Sequence, residues 1–451
     1  MTPGSRLLFL SHRPPLELYE SHRGARVAHT MGALAGAIDR AVAAFGATWE
    51  AWSAASVARD TPPVRMVRVR DMDTFQAGFG NQVLWPLCHI FPSRCTFQPA
   101  SWAAYRSANE AFATEARSRL AAGDIVWVND FHLALVPGFL RAVGVPARVG
   151  AFWHIPFPPP AVFGICPWRT DVLGGLLGGD VVGFQTDADV RNFLDCVTAF
   201  LGLRVSADPP AVVLPDRRVD VFALPVGIDA ARLRGRTSEA ADEVRELRRT
   251  LGADVVVLGV DRLDYAKGIP ERLLGFERFL ERHADWRRRV ALVQIAVPTQ
   301  FHVPGFRDMK RQVDESVGRI LGRYTYDGRA PLAYLYTAFD HDRLAAYYAA
   351  ADVALVTPLR DGMSLVAKEY VACHADGRGV LVLSEFAGAA AELGDALLVN
   401  PYDPEAMRRQ LHAAVTMPEP ERRRRMAALG ARVREHDVHW WTAQFLARLA
   451  A

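Results

Sequence analysis

Short apolar runs alternate with longer helical stretches along almost the whole chain. Residues 7–10 and 255–260 are continuous apolar runs of the length of a buried strand, and residues 188–200 have the apolar spacing of a helix. Strands that are joined by helices pair in parallel, because a parallel pair needs a long crossover connection. The sequence therefore predicts the α/β class, with doubly wound parallel sheets that carry helices on both faces.

This rhythm runs twice, with a polar helical stretch at residues 237–249 between the two halves. A chain of 451 residues is long enough for two or three domains. We predict two Rossmann-like domains that face each other across a cleft, at residues 1–232 and 233–430, and a C-terminal helix at residues 431–451 that packs back on the first domain. Ligands of such sheets bind outside the carboxyl ends of the strands, so the loops that follow the strands carry the chemistry.

Charge, hydropathy and cysteine content exclude several kinds of partner. The net charge is +3 with no concentrated basic stripe, so we expect no nucleic-acid partner. No apolar run reaches the roughly 18 residues of a membrane span, and no signal peptide is recognisable, so we expect a cytoplasmic protein without a membrane partner. The five cysteines lie far apart in the sequence with no CxxC pair, which suits a reducing compartment. A homo-oligomer is neither indicated nor excluded.

The segment after the predicted strand at residues 255–260 carries the strongest chemical signal. Arg262 and Lys267 lie on one strand-end loop, and Gly268 lets the backbone approach a ligand closely. Fixed Arg and Lys side chains can neutralise the charge that grows on a departing diphosphate, without a metal ion. The alternative for Lys267 is a surface salt bridge to Asp264 or Glu271.

A second loop of the same kind lies in the same half of the chain. Asp361 is placed to accept hydrogen bonds from sugar hydroxyls, and Gly362 permits close approach. Phosphate can be cradled by backbone N–H groups at the start of the next helix, which belong to Met363, Ser364, Leu365 and Val366. Glu369, further along that helix, can reach a ribose diol. The alternative for Glu369 is a helix-surface carboxylate paired with Lys368 or Arg408.

In the first half of the chain, two polar residues close predicted strands. Asp130 could position or deprotonate a substrate hydroxyl, and it could equally cap the helix that follows. His154 precedes a proline-rich run that rigidifies its loop. It could bind a sugar hydroxyl through its ring or its main-chain oxygen, or it could be a satisfied core residue.

Three further residues of the first half suit a second, small polar substrate. Arg13 follows the first predicted strand, where a guanidinium would suit a phosphate. Trp49 and Trp85 could wall a sugar site, although a place in the core explains either residue as well.

Together these residues resemble the trehalose-6-phosphate synthase family of glycosyltransferases. Eight ordered stretches that span nearly the whole chain match the family, at residues 81–86, 127–132, 154–158, 183–186, 225–229, 261–268, 361–369 and 384–389. The resemblance implies the GT-B fold of two Rossmann-like domains. It also implies transfer of glucose from UDP-glucose, or sometimes GDP-glucose, to glucose 6-phosphate with retention of the anomeric configuration.

The resemblance assigns the donor, a nucleotide sugar, to the second half of the chain. Arg262 and Lys267 would hold the donor diphosphate, and Glu369 would hold the ribose. Asp361 and the backbone of residues 362–366 would hold the donor sugar and phosphate.

In the first half, the resemblance implies that His154 contacts the donor sugar and Asp130 a hydroxyl of the acceptor or donor. No carboxylate stands out as a nucleophile. That suits a front-face mechanism, in which the leaving phosphate oxygen takes the acceptor proton. The family needs no metal ion in the chemical step, and no cofactor is expected besides the nucleotide sugar.

The departures from the family pattern cluster on the acceptor side. Where the family has Ser-x-Gly-Gly-Leu, this chain keeps Gly32 near the donor but replaces the second glycine with Ala33. The family carries a Tyr and an Arg that contact the acceptor phosphate, and Gln76 and Gln300 stand in their places. Arg13 remains. Loss of an Arg from a phosphate site costs about 2–4 kcal/mol of binding.

We therefore predict a retaining glycosyltransferase that moves a hexose to a sugar, polyol or aminocyclitol acceptor, in secondary metabolism. One alternative is an authentic trehalose-6-phosphate synthase. A second is a pseudo-glycosyltransferase of the validoxylamine-phosphate-synthase type. A third, of another class, is a non-catalytic paralogue that binds sugar nucleotides, and it predicts decay of the donor loops.

Overall fold

The structure, a computed structural model, describes residues 6–12, 16–21, 24–29, 48–51, 64–69, 72–299 and 304–451. The chain divides into two compact units. Unit 1 comprises Met1–Val226 and Val438–Ala451, and unit 2 comprises Gly227–Asp437. These bounds lie close to the predicted boundaries at residues 232 and 430.

The strands of unit 1 are mostly short and apolar. Within its described residues they are β1 (Leu7–Ser11), β2 (Leu16–Ser21), β3 (Gly24–His29), β4 (Thr48–Ala51), β5 (Val64–Met66), β6 (Ile125–Asn129), β7 (Arg148–Phe152), β8 (Val181–Phe184), β9 (Arg204–Ala207), β10 (Pro210–Val213) and β11 (Arg218–Ala223). One sheet has the order β5-β4-β1-β6-β7-β8-β11-β10-β9, and β2 pairs with β3 in a separate hairpin.

This sheet is parallel except at one edge, where β10 runs antiparallel to both β9 and β11. The sequence pattern does not predict that edge. Only Asp208 and Pro209 separate β9 from β10, and so short a connection can join antiparallel strands but not parallel ones.

Helices connect the parallel strands of unit 1. In its described residues they are α1 (Met72–Ala77), α2 (Trp85–Cys88), α3 (Pro99–Arg117), α4 (Val136–Ala142), α5 (Pro160–Phe163), α6 (Arg169–Leu176) and α7 (Asp187–Leu201). Helix α7 shows how local sequence sets the bounds. A reciprocal capping box of Thr186 and Asp189 starts it, and Gly202, with φ of 64°, ends it.

Unit 2 contains a single parallel sheet in its described residues. Its strands are β12 (Val255–Arg262), β13 (Val290–Val297), β14 (Leu332–Leu335), β15 (Val353–Val356), β16 (Val380–Ser384) and β17 (Leu397–Val399), in the order β14-β13-β12-β15-β16-β17. Its helices are α8 (Ala230–Glu239), α9 (Ala241–Leu251), α10 (Ile269–Arg282), α11 (Pro304–Tyr324), α12 (His341–Ala350), α13 (Leu365–Cys373), α14 (Pro404–Val415) and α15 (Glu419–Glu435).

The direction in which strands are added to this sheet reverses between β12 and β15. The two strands pair in parallel, with Val257 opposite Val353, so the loops after both strands emerge side by side. This is the topological switch point, where open parallel sheets hold their ligands. The two loops predicted to carry the donor chemistry both start here.

The last helix, α16 (Val438–Ala450), is part of the core of unit 1. Phe445 stacks on Trp127 of β6 with ring centroids 4.2 Å apart, and Trp441 meets the edge of Phe152 of β7 at 4.9 Å. The indole nitrogen of Trp441 donates to the Leu224 carbonyl at 3.1 Å, which satisfies its one buried polar atom.

Three of the five cysteines, Cys88, Cys166 and Cys196, belong to the hydrophobic cluster of unit 1 although they are far apart in sequence. Cys95 is partly buried and packs against the same cluster. Burial raises the pKa of Cys95 and of Cys196 to about 12, and that of Cys166 to about 11. They therefore remain thiols at neutral pH and pack as small apolar side chains.

Candidate active site

The loop after β12 is shaped by one carboxylate and one glycine. Asp264 accepts a hydrogen bond from the Ala266 amide at 2.9 Å and caps a single 3-10 turn, Tyr265–Lys267. Gly268 follows with φ of 63°, and a Cβ there would lie 2.5 Å from the Thr357 carbonyl oxygen. Only glycine fits this position without strain, which explains how the turn reaches so close to the end of β15.

Lys267 meets Asp361 across the two neighbouring loops. Its Nζ lies 2.6 Å from Asp361 Oδ2, and the two side chains are only 13% and 14% exposed. The predicted alternative, a surface salt bridge from Lys267 to Asp264 or Glu271, is not the arrangement observed. Arg262 keeps 48% of its side chain exposed, with Nη2 3.9 Å from Asp264 Oδ2.

A buried arginine that the sequence analysis missed underlies this loop. Arg272, on the first turns of α10, has no exposed surface. Its guanidinium pairs with Asp261 and donates to Thr357 Oγ1 at 3.0 Å and to Gln294 Oε1 at 3.1 Å. One side chain thus ties together the end of β12, the middle of β13 and the residue after β15. In the sequence, only its position shortly after the matched stretch at residues 261–268 could have drawn attention to it.

The loop after β15 is a tight polar turn closed by Asp361. Its Oδ1 accepts from the Gly362 amide at 3.0 Å, and its Oδ2 accepts from Ser364 Oγ at 2.6 Å. Ser364 adopts φ of 67°, a conformation that costs a non-glycine residue about 1–3 kcal/mol and is typical of functional sites. It is also the residue immediately before α13, so the amides of the first turn point along the helix axis. Met363 and Leu365 are buried.

Glu369 lies inside unit 2 rather than on a helix surface. Its Oε2 accepts a hydrogen bond from the Tyr348 hydroxyl at 2.7 Å, and the residue is 7% exposed. Burial raises the pKa of the Glu369 carboxyl. The predicted alternative, pairing with Lys368 or Arg408, is therefore wrong: Lys368 pairs with Glu392, and Arg408 with Glu405.

In unit 1, Asp130 follows β6 in a strained backbone conformation, with φ of 72° and ψ of 164°. Its Oδ1 accepts from the Phe131 amide at 2.9 Å and from the His154 amide at 3.3 Å. It therefore does cap the short 3-10 helix that follows, as the structural alternative predicted. The carboxylate also ties the ends of β6 and β7 together.

His154 is held by two amide side chains. Its Nε2 lies 2.8 Å from Asn129 Oδ1, and its Nδ1 lies 3.0 Å from Gln185 Nε2. Since Asn129 Oδ1 only accepts and Gln185 Nε2 only donates, the ring is neutral with its proton on Nε2. Burial lowers the pKa of His154 to about 3. Both ring nitrogens are engaged, which favours the main-chain oxygen as the group that could bind a sugar.

Gln185 completes this network, since its Oε1 accepts from the Val226 amide at 3.0 Å. Asn129 and Gln185 lie within the matched stretches at residues 127–132 and 183–186, which was the only signal for them in the sequence. We call these four groups, Asn129, His154, Gln185 and the Val226 amide, the neutral network.

The Trp85 ring packs among other rings of unit 1. Its centroid lies 4.0 Å from that of His89 and 6.2 Å from that of Phe131. Nearby, His12 at the end of β1 stacks on His132 at 3.6 Å.

The structure does not describe the side chains of the remaining predicted residues. Arg13, Gly32 and Gln300 lie outside the described residues. Trp49 falls in β4 and Gln76 in α1, but their side chains also lie outside the description. Among the residues that are described, no His, Cys, Asp and Glu side chains cluster in a way that could hold a metal ion. Across the same residues, no helix combines the length and apolar character needed to cross a membrane.

Comparison with known proteins identifies the family. The model for glycosyltransferase family 20 matches residues 51–451. A bifunctional trehalose-6-phosphate synthase/phosphatase from Thermoproteus tenax is 40% identical over 98% of this chain, which spans 63% of that protein's length. A trehalose-6-phosphate synthase from Mycolicibacterium smegmatis is 39% identical over 99% of this chain and 93% of its own.

Among solved structures, similarity extends over the whole fold. The α,α-trehalose-phosphate synthase (UDP-forming) from Burkholderia xenovorans, in complex with glucose 6-phosphate, has a TM-score of 0.91 at 34% identity. The match covers 99% of this chain and 100% of that one. The predicted GT-B fold, with a Rossmann-like sheet in each unit, is thereby confirmed. The chain belongs to glycosyltransferase family 20 and is a retaining glycosyltransferase that uses a nucleotide sugar.

Proposed function

We propose that this enzyme is a trehalose-6-phosphate synthase that transfers glucose from UDP-glucose to glucose 6-phosphate. The relatives named above support this over the altered acceptor that the sequence departures suggested. The observation that carries the proposal is the contact of Lys267 with Asp361 at the switch point between β12 and β15. A cation beside a carboxylate supports the proposal, because a sugar diphosphate offers phosphate oxygens to the cation and sugar hydroxyls to the carboxylate.

The donor is assigned to residues of unit 2. We propose that Lys267 and Arg262 hold the diphosphate, and that the backbone amides of Gly362–Val366 at the start of α13 also donate hydrogen bonds to it. Asp361 accepts from hydroxyls of the transferred sugar. Glu369 holds the ribose.

The chemical step follows from these positions. A hydroxyl of the acceptor attacks the anomeric carbon of glucose while the bond from that carbon to the diphosphate oxygen breaks. The leaving oxygen takes the bond electrons and then the acceptor proton on the same face, so configuration is retained. Arg262 and Lys267 neutralise the charge that grows on the diphosphate, and we propose that no metal ion takes part in this step.

Unit 1 contributes further hydrogen-bonding groups. We propose that the His154 main-chain oxygen contacts the donor sugar and that Asp130 contacts a substrate hydroxyl. The neutral network holds the His154 backbone in place, because its ring is anchored on both sides.

An acceptor assay tests the proposal. The enzyme is supplied with UDP-glucose or GDP-glucose and either glucose 6-phosphate or glucose, and the products are identified by mass spectrometry. We expect trehalose 6-phosphate and UDP. Efficient turnover with unphosphorylated acceptors and none with glucose 6-phosphate would reinstate the altered-acceptor prediction and overturn this one.

A further inference from the structure

The Glu369 carboxylate is held in place by a residue that no local motif predicts. Tyr348 lies on the last turn of α12, which packs against α13. It is 1% exposed, and its hydroxyl donates to Glu369 Oε2 at 2.7 Å.

This hydrogen bond engages Oε2 of the Glu369 carboxylate and does not engage Oε1. Among the described residues, Tyr348 is the one hydrogen-bond partner of Glu369, so Oε1 is available to a ligand donor. A ribose presents two adjacent hydroxyls, and a carboxylate accepts from both only if its plane is correctly turned. A glutamate side chain with three rotatable bonds does not keep one orientation without a partner.

We propose that Tyr348 is a positioning residue for nucleotide recognition: its hydroxyl turns the Glu369 carboxylate toward the ribose hydroxyls of the donor. This rests on the proposed function only in the assignment of Glu369 to the ribose. Tyr348 itself contacts no substrate.

The charge state of Glu369 supports the same role. Burial raises the pKa of Glu369, and the hydrogen bond from Tyr348 opposes that rise by stabilising the ionised form. The other titratable groups that act on this pair are Cys373, on α13, and Asp261, at the end of β12, which pairs with Arg272. Without the Tyr348 hydroxyl, Glu369 holds its proton to a higher pH, and a protonated carboxyl has lost part of its accepting capacity.

Tyr348→Phe removes the hydroxyl and keeps the ring. Tyr370→Phe is a matched control, because Tyr370 lies on α13 beside Glu369 and is equally buried, but its hydroxyl bonds to the Val380 amide. Isothermal titration calorimetry compares the binding of UDP and of 2′-deoxy-UDP to the wild type and both variants, at pH 7.5 and pH 6. Thermal melting without ligand reports the folding of each.

We expect the wild type to prefer UDP to 2′-deoxy-UDP by about tenfold, and Tyr348→Phe to lose most of that preference by binding UDP about tenfold more weakly. The weakening of UDP binding should be greater at pH 6 than at pH 7.5, relative to wild type. Tyr370→Phe should keep the wild-type preference even if its melting temperature falls.

Two results would overturn the proposal while leaving the proposed function intact. One is an unchanged preference for UDP in Tyr348→Phe, and the other is an equal loss in Tyr370→Phe. A wild-type enzyme that binds neither nucleotide would remove the donor assignment itself, and the role of Tyr348 with it.

Discussion

His154 in unit 1 is held by neutral side chains, whereas Lys267 and Asp361 in unit 2 hold each other by opposite charges. In unit 1, His154 is neutral and is fixed between the amides of Asn129 and Gln185. In unit 2, Lys267 and Asp361 carry opposite charges and neutralise each other at 2.6 Å. A neutral network suits sugar hydroxyls, which carry no charge. An ion pair can exchange partners with a charged ligand, because each member is already desolvated and needs only a new counter-charge.

The largest expected effect comes from breaking the ion pair. Lys267→Ala should lower kcat/KM for UDP-glucose by about a thousandfold, since it removes a cation that acts on the charge of the leaving diphosphate. Steady-state kinetics measure this, with melting temperature as a check on folding. Lys310→Ala is the control, because Lys310 also pairs with an aspartate, Asp314, but on the surface. Near wild-type kcat in Lys267→Ala would refute the donor assignment.

Breaking the neutral network should lower the stability of the folded protein. Gln185→Ala removes the side chain that donates to His154 Nδ1 and accepts from the Val226 amide, and the loss of these two buried hydrogen bonds should lower the free energy of unfolding by about 2 kcal/mol. Thermal or denaturant unfolding measures the loss. Gln410→Ala, which removes an exposed amide bonded to the Leu398 carbonyl, should change little. Equal losses in both variants would mean that the neutral network contributes no more to the free energy of unfolding than an exposed hydrogen bond does.

Restoring the family's arginine at position 300 tests whether this position contacts the acceptor phosphate. Gln300→Arg should raise kcat/KM for glucose 6-phosphate by about tenfold, because a guanidinium forms charge-assisted hydrogen bonds with phosphate. The gain should be absent with glucose as acceptor. An equal change with both acceptors would show that position 300 does not face the acceptor phosphate.

The smallest effect concerns pH. His154 has its pKa lowered to about 3 in the folded protein, against about 6.5 when unfolded, so the unfolded chain binds more protons between these values. Stability should therefore fall as pH decreases below about 6.5, by under about 1 kcal/mol between pH 7 and pH 6 for this residue. His154→Asn should lose less melting temperature over that interval than the wild type. An equal loss in both would contradict the burial of a neutral ring.

The same two regions show how far sequence reasoning reaches. The apolar run of β12 and the loops after β12 and β15 are local features, and spacing alone placed Lys267 and Asp361 at strand ends. Their direct contact depends on β12 lying beside β15, which strand order decides and local pattern does not.

The residues that sequence reasoning missed lie behind the predicted ones. Tyr348 reaches Glu369 from a different helix, and Arg272 joins three strands from inside unit 2. Such contacts form between segments far apart in the chain, so no periodicity or motif spacing signals them. The alternative for Asp130 was a local cap, and it is observed because the Phe131 amide is the next residue along the chain. The alternative for Glu369 was a pairing with Lys368 or Arg408, and it is not observed because Glu369 accepts instead from Tyr348, 21 residues away.

A crystal structure of the enzyme with UDP-glucose bound tests most directly whether the charged loops of unit 2 hold the donor. We expect Lys267 Nζ and the Arg262 guanidinium to lie about 3 Å from oxygens of the diphosphate, with Asp361 accepting from the glucose hydroxyls. A diphosphate bound away from Lys267 and Arg262, with the pair of Lys267 and Asp361 undisturbed, would contradict the account.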